Sequence, residues 1–118
     1  MPITRIELAG RRCKPCNTDL PPLTSTQVHD HLAALPDWHP AEDGRRIRRE
    51  WVAKDFVTAL DFFGRIAVLA EEEDHHPDLH LTGYRNIAVE LWTHRLGGLS
   101  ENDFILAARI DALPLETK

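Results

Sequence analysis

The chain has 118 residues, of which 42% are hydrophobic and 28% charged, and a formal net charge of −5 at pH 7. This length and composition are typical of one folded domain, and the acidic balance speaks against a general nucleic-acid binder, which needs a basic face. The longest apolar run, Ile66–Ala70, is far too short to span a membrane, and the N-terminus lacks a signal-peptide core, so we expect a cytoplasmic protein.

Residues 1–23 are predicted to be loosely organised, because several prolines interrupt any regular helix there. This segment contains both cysteines of the chain, Cys13 and Cys16. A lone CxxC spacing leaves three alternatives open: structural thiols, half of a metal site completed from elsewhere, or a redox pair. Residues 24–118 are predicted to form the single domain.

The next segment predicts a helix followed by a hairpin. The helix is expected to begin at Thr24, with Gln27 completing a capping box, and to end at Pro36. Residues 38–51 then predict a hairpin whose turn falls at residues 42–44, because its Asp-Gly step tolerates positive φ.

The most regular helix is predicted to follow Asp55, its N-cap. Three-to-four spacing predicts an apolar stripe formed by Phe56, Leu60, Phe63, Ala67 and Ala70. Residues 71–74 are all acidic, although negative charge at a helix C-terminus opposes the macrodipole. A locally unfavourable choice of this kind indicates a functional site.

After Pro77, strands are predicted around residues 79–81 and 87–94, and a last helix is predicted to begin after Ser100. The order of elements is therefore helix, two strands, long helix, two strands, helix. Links of hairpin length between paired strands favour an antiparallel sheet with helices on one face, an α+β fold.

Three of the seven histidines adjoin the ends of predicted elements. His75 and His76 follow the long helix, and His94 ends the last strand; if the two ends pack together, the imidazoles share one pocket. Imidazole titrates near neutral pH and so gives and takes protons readily. The pattern leaves three interpretations open: an acid–base or ligand site, a zinc site completed by Asp103 or Glu71, or surface and capping histidines.

Five short motifs occur in order along roughly residues 24–112. They are Leu35-Pro36-x-Trp38, Lys54-Asp55-Phe56, Glu71-x-x-Asp74-His75-His76-Pro77, Thr93-His94 and Gly98-Leu99-Ser100-x-x-Asp103. Their residues and spacing resemble the signature of the pterin-4a-carbinolamine dehydratase family, also called 4a-hydroxytetrahydrobiopterin dehydratase. Leu79 departs from the family, which often carries an aromatic residue at this position.

The resemblance implies a curved four-stranded antiparallel sheet with three helices packed on one face, in a homodimer or homotetramer. It implies a hydro-lyase that converts 4a-hydroxytetrahydropterin to quinonoid dihydropterin and water, recycling the pterin cofactor of aromatic amino-acid hydroxylases. No metal or organic cofactor takes part in this reaction. The alternative is a non-catalytic protein-binding or assembly role on the same fold, because the family includes such members.

Position by position, the resemblance implies that His75, His76 and His94 are the catalytic residues. His75 and His94 would be the proton-transfer pair, and His76 would help to hold the pterin. The residues implied to bind or edge the substrate are Glu71, Asp74, Pro77, Thr93, Arg95, Leu96 and Asp103. Asp103 has a second interpretation, because the third residue of a helix can also cap its N-terminus.

Overall fold

The computed structural model describes residues 3–14 and 21–118. Within these ranges the chain forms helices and strands in the order α1 (Arg5–Ala9), α2 (Ser25–Ala33), β1 (His39–Pro40), β2 (Ile47–Val52), α3 (Phe56–Glu73), β3 (Asp78–Thr82), β4 (Asn86–Leu91) and α4 (Glu101–Asp111). The predicted α+β class is confirmed, and α1 is an addition to the three predicted helices.

The four strands form one antiparallel sheet in the order β1-β2-β4-β3. Both predicted hairpins are present, and the turn of the first contains Gly44 at a φ of 69°. The two hairpins join through β2 and β4, where Ile47 lies opposite Leu91. Strand β4 is therefore an inner strand, and the chain that leaves it leads directly to α4.

The core lies between one face of the sheet and the helices. Alternate residues of β4, Ile87, Val89 and Leu91, are buried and share a single apolar cluster with Phe62 of α3 and Phe104 of α4. This period of two is what a sheet covered on one side requires. Among the helices in the described ranges, none combines the length and apolarity needed to cross a bilayer.

The predicted apolar stripe of α3 is buried only in part, at Ala70 and, less completely, at Phe63. Phe56 and Leu60 remain 47% and 46% exposed, whereas the buried positions are Ala59, Phe62, Ile66, Ala70 and Glu73. Helix α3 carries apolar residues on two faces, and both sets have helical spacing, so the period could not choose between them. Contact with the sheet decides which face is buried.

The N-terminal segment is more ordered than predicted. Helix α1 begins after Thr4, whose hydroxyl accepts the Glu7 N–H, and its Leu8 is fully buried in the core. The expectation of a loosely organised segment is therefore wrong for residues 5–9, because the prolines that motivated it lie further along the chain. Cys16 lies outside the described residues, so the three alternatives for the CxxC pair stay open.

Candidate active site

The exit of α3 turns sharply at Asp74. This residue adopts the left-handed conformation, with φ 50° and ψ 43°, and the His75 N–H that follows it donates to the Ala70 carbonyl. A side chain in this region is strained, although aspartate tolerates it better than most residues. After the turn, His75 is buried and His76 is exposed, so the two adjacent imidazoles meet different surroundings.

His75 contacts a fully buried carboxylate. Its Nε2 lies 2.6 Å from Oδ1 of Asp103 in the first turn of α4. Oδ2 of Asp103 accepts the Thr93 hydroxyl and the Ser100 N–H, each at 2.9 Å. These donors satisfy the carboxylate in its charged form, which an apolar interior would otherwise disfavour.

The hydroxyl groups behind Asp103 form an ordered chain. Thr93 has a single hydroxyl proton and donates it to Asp103, so the Ser100 hydroxyl, 2.6 Å from Thr93 Oγ1, must donate to Thr93. The capping interpretation of Asp103 is confirmed, because its side chain accepts the N-cap N–H of α4. The same carboxylate binds an imidazole, and its predicted contact with substrate stays a prediction.

His76 has a different and more exposed partner. Its Nε2 lies 2.5 Å from a carboxylate oxygen of Glu71, in the last turn of α3. Both side chains are largely exposed to solvent, so the pair contributes little to stability. The hydrogen bond to Glu71 instead orients the His76 ring, because it holds Nε2 in one place.

The structure corrects the expected position of His94. Strand β4 ends at Leu91, and His94 lies in the turn that follows, which closes where the Thr93 N–H donates to Gly98 O at 2.8 Å. The exposed His94 ring packs on Trp92, with 4.1 Å between ring centroids.

Trp92 is held from more than one side. Its indole N–H donates to Asp78 at 2.9 Å, and the Arg46 guanidinium lies 4.9 Å from the ring centroid. Trp92 is not among the site residues predicted from the sequence. The spacing could have indicated it, because Trp92 and His94 are two residues apart and such positions share a face of an extended chain.

One cavity of about 290 Å³ contains the three histidines, and its lining residues are Asp74, His75, His76, Trp92, His94 and Arg95. Glu71 and Asp103 contact the imidazoles of His76 and His75 from outside the lining, and Thr93 contacts Asp103 rather than an imidazole. Pro77 and Leu96 are not among the lining residues, so their predicted contact with substrate stays a prediction. Larger concavities, from about 410 to about 600 Å³, also occur among the described residues, and the four of them that we compared are each lined by at most one histidine.

The geometry does not favour the zinc interpretation. Within residues 3–14 and 21–118, no group of three or more His, Cys, Asp or Glu side chains is placed to hold a metal ion. The carboxylates of Asp103 and Glu71 contact different imidazoles, those of His75 and His76. The arrangement is that of two separately oriented imidazoles and a third on a turn, which suits proton transfer.

Comparison with known proteins identifies the family. The family model for pterin 4 alpha carbinolamine dehydratase matches residues 21–113. Pterin-4-alpha-carbinolamine dehydratase 2, mitochondrial, of Arabidopsis thaliana is 47% identical over 113 residues, which cover 93% of this chain and 60% of the longer plant protein. A Halorhodospira halophila protein with the same dehydratase name is 42% identical over 108 residues, covering 92% of this chain and 98% of that protein.

A solved structure supports the same assignment. The crystal structure of a transcriptional coactivator/pterin dehydratase from Brucella melitensis matches this fold with a TM-score of 0.73 and 34% sequence identity. The match covers 78% of this chain and 97% of that one. The chain therefore belongs to the pterin 4 alpha carbinolamine dehydratase family.

Proposed function

We propose that the protein is a dehydratase that converts 4a-hydroxytetrahydropterin to quinonoid dihydropterin and water by histidine acid–base catalysis. Family membership supports the hydro-lyase class. The observation that carries the proposal is the single cavity lined by His75, His76 and His94.

The reaction needs two proton transfers at neighbouring atoms. The hydroxyl on C4a leaves as water only if its oxygen is protonated, and the N5–H bond must break to form the new double bond. An imidazolium supplies the first proton and a neutral imidazole accepts the second. Each positioned transfer is typically worth ~10²–10⁴ in rate.

His75 suits the base. Its Nε2–H donates to Asp103, so in the neutral ring Nδ1 is the nitrogen that can accept a proton. The buried carboxylate then stabilises the imidazolium that forms, as the carboxylate of a catalytic triad does. His94 suits the acid, because its exposed position on the turn lets it recover a proton from water after each cycle.

The substrate is expected to lie as a flat bicyclic ring between these two imidazoles. His76, oriented by Glu71, and the indole of Trp92 provide walls, and Asp74 and Arg95 offer polar groups at the rim. Thr93 donates a hydrogen bond to Asp103 and so helps to position the carboxylate that binds His75. No organic cofactor is required, since imidazoles supply both proton transfers.

The proposal extends to assembly and physiological role. The exposed apolar residues of α3, among them Phe56, Val57, Leu60 and Val68, support association as a homodimer or homotetramer. We further propose a cytoplasmic location and a functional link to an aromatic amino-acid hydroxylase, because this reaction would recycle the oxidised pterin that such an enzyme releases. Neither nucleic acid nor membrane enters the proposal.

The deciding experiment is a dehydration assay with 4a-hydroxytetrahydropterin, followed by ultraviolet absorbance. We expect a wild-type rate well above buffer, and a loss of at least ~10² in His75→Ala and in His94→Ala. His80→Ala is the matched control, because His80 also pairs with a carboxylate, that of Glu90 at 2.8 Å, but does not line the cavity. A wild-type rate equal to buffer rejects the proposal in favour of the protein-binding alternative.

A further inference from the structure

Residues 11–14, here called the N-terminal arm, run from α1 to the end of α3. The Arg12 side chain approaches both carboxylate oxygens of Glu73, with Nε 2.8 and 3.1 Å from them, and the Cys13 N–H donates to the same carboxylate at 3.2 Å. Glu73 is the last residue of α3 and lies two residues before His75.

The same arm is bound to α4. Asn102 forms two hydrogen bonds with the backbone of Lys14, accepting its N–H at 2.9 Å and donating to its carbonyl at 2.7 Å. Arg109 donates to the Arg11 carbonyl at 2.7 Å. Asn102 immediately precedes Asp103, so the arm is attached one residue away from the carboxylate that binds His75.

Both anchoring side chains are buried, and the arm supplies their shorter contacts; outside the arm, Glu73 also has the Arg109 guanidinium of α4, at 3.6 Å. The Glu73 side chain is 2% exposed, and Asn102 is 1% exposed. A buried carboxylate or amide without hydrogen-bond partners is costly. Glu73 also explains part of the acidic run at the end of α3, because there it receives the arm rather than water.

The arm and the imidazole–carboxylate pair therefore join the same two helix ends. His75 Nε2 and Asp103 Oδ1, 2.6 Å apart, make one link between the end of α3 and the start of α4, and the arm makes a second. The family match begins at residue 21, so the arm lies outside it. Nothing in the proposed chemistry requires the arm to touch substrate.

We propose that the N-terminal arm is a positioning element of the active site, which sets the spacing of the two helix ends and thereby holds His75 against Asp103. This inference rests on the proposed dehydratase function, in which His75 transfers a proton. Small displacements of a catalytic group reduce the rate steeply, since a shift of about 1 Å can cost ~10²-fold.

The test uses the whole 118-residue chain and two separate variants. Glu73→Gln keeps the shape of the side chain but removes its charge, and Arg12→Ala removes the guanidinium that pairs with it. We expect kcat to fall about 10-fold, with KM within about twofold, because positioning rather than substrate contact is lost. In proton–nitrogen NMR spectra of the histidines, the His75 Nε2 proton should broaden through faster exchange with water. Arg12→Lys, which retains the charge, should recover most of the lost rate.

Arg65→Ala is the matched control. It breaks an ion pair on the exposed surface of α3, in which Arg65 Nε lies 3.0 Å from Asp61 Oδ2, and it does not affect the arm. It should leave both readouts unchanged. Arg12 has an exposed side chain, so Arg12→Ala should fold even if Glu73→Gln does not. An active wild type whose Arg12→Ala variant keeps its kcat and its His75 signal overturns the role of the arm alone. An inactive wild type overturns the proposed function, and this inference with it.

Discussion

Replacing Asp103 with asparagine isolates the charge of the carboxylate behind His75. In the wild type, Oδ1 accepts the imidazole N–H, while Oδ2 accepts the Thr93 hydroxyl and the Ser100 N–H. Asparagine keeps one acceptor oxygen but places an NH₂ group on the other side. If its oxygen faces the Thr93 hydroxyl and the Ser100 N–H, the NH₂ group faces His75 Nε2.

The hydrogen bonds of Asp103 predict a loss of catalytic rate in Asp103→Asn. An NH₂ group facing Nε2 makes that nitrogen the acceptor and moves the ring proton to Nδ1, which removes the base of the proposed mechanism. The matching change in a serine protease triad, where asparagine produces the wrong tautomer, costs about 10⁴ in kcat. We expect a loss of at least ~10² here, with KM little changed, because Asp103 does not line the cavity.

The assay combines the dehydration rate with histidine NMR spectra, which report the tautomer of His75. Losing charge-assisted hydrogen bonds at a buried site should also lower the free energy of unfolding by about 1.5–3 kcal/mol. Glu90→Gln, which alters the partner of the exposed His80, is the control and should leave the rate unchanged. A folded Asp103→Asn protein with the wild-type rate would refute the reasoning.

The other predictions concern single residues of the site, the surface and a helix cap. Asp74→Gly should raise the free energy of unfolding by about 1 kcal/mol in urea titrations, because glycine adopts the left-handed conformation without strain; an unchanged or lower value contradicts this. Trp92→Leu should raise KM about 3- to 10-fold through loss of an aromatic wall, and Trp92→Phe much less; equal KM values in the two variants argue against stacking. Leu60→Asp should lower the molar mass found by light scattering, since it places charge on the exposed apolar surface of α3; an unchanged oligomer disproves that interface. Hydrogen bonds from Thr58, first from its side chain and then from its backbone, lower the pKa of Asp55. The stability that its carboxylate adds is therefore present above about pH 3.9 and lost as the pH falls further, so wild type and Asp55→Asn should converge in acid unfolding curves.

Local signals were sufficient for much of the fold. The caps at Thr24 and Asp55 and the turn at Gly44 are where the sequence predicts them, because each depends on residues only a few positions apart. The strand predicted at residues 87–94 is likewise present as β4, although it ends three residues earlier, at Leu91. The pairing within each hairpin followed from the short links between its strands, whereas the pairing of β2 with β4 has no such local signal.

The face that α3 buries could not be predicted in the same way. Its two apolar faces satisfy the same period, and only the sheet and α4 determine which of them is covered. The order in residues 5–9 was also missed, because α1 is short and depends on burial of Leu8 in the core. In both cases the deciding interactions come from distant parts of the chain.

The sequence by itself determined the presence of three imidazoles with acidic neighbours, in motifs that resemble a dehydratase family, and from these it predicted the residues that carry the chemistry. Only the tertiary structure decided how they are arranged, because the contacts that orient them span long separations. His75 binds a carboxylate 28 residues away, and the N-terminal arm reaches Glu73 across 60 or 61 residues. Such pairs leave no local period or spacing, since burial and hydrogen bonding select them only when the helices pack on the sheet.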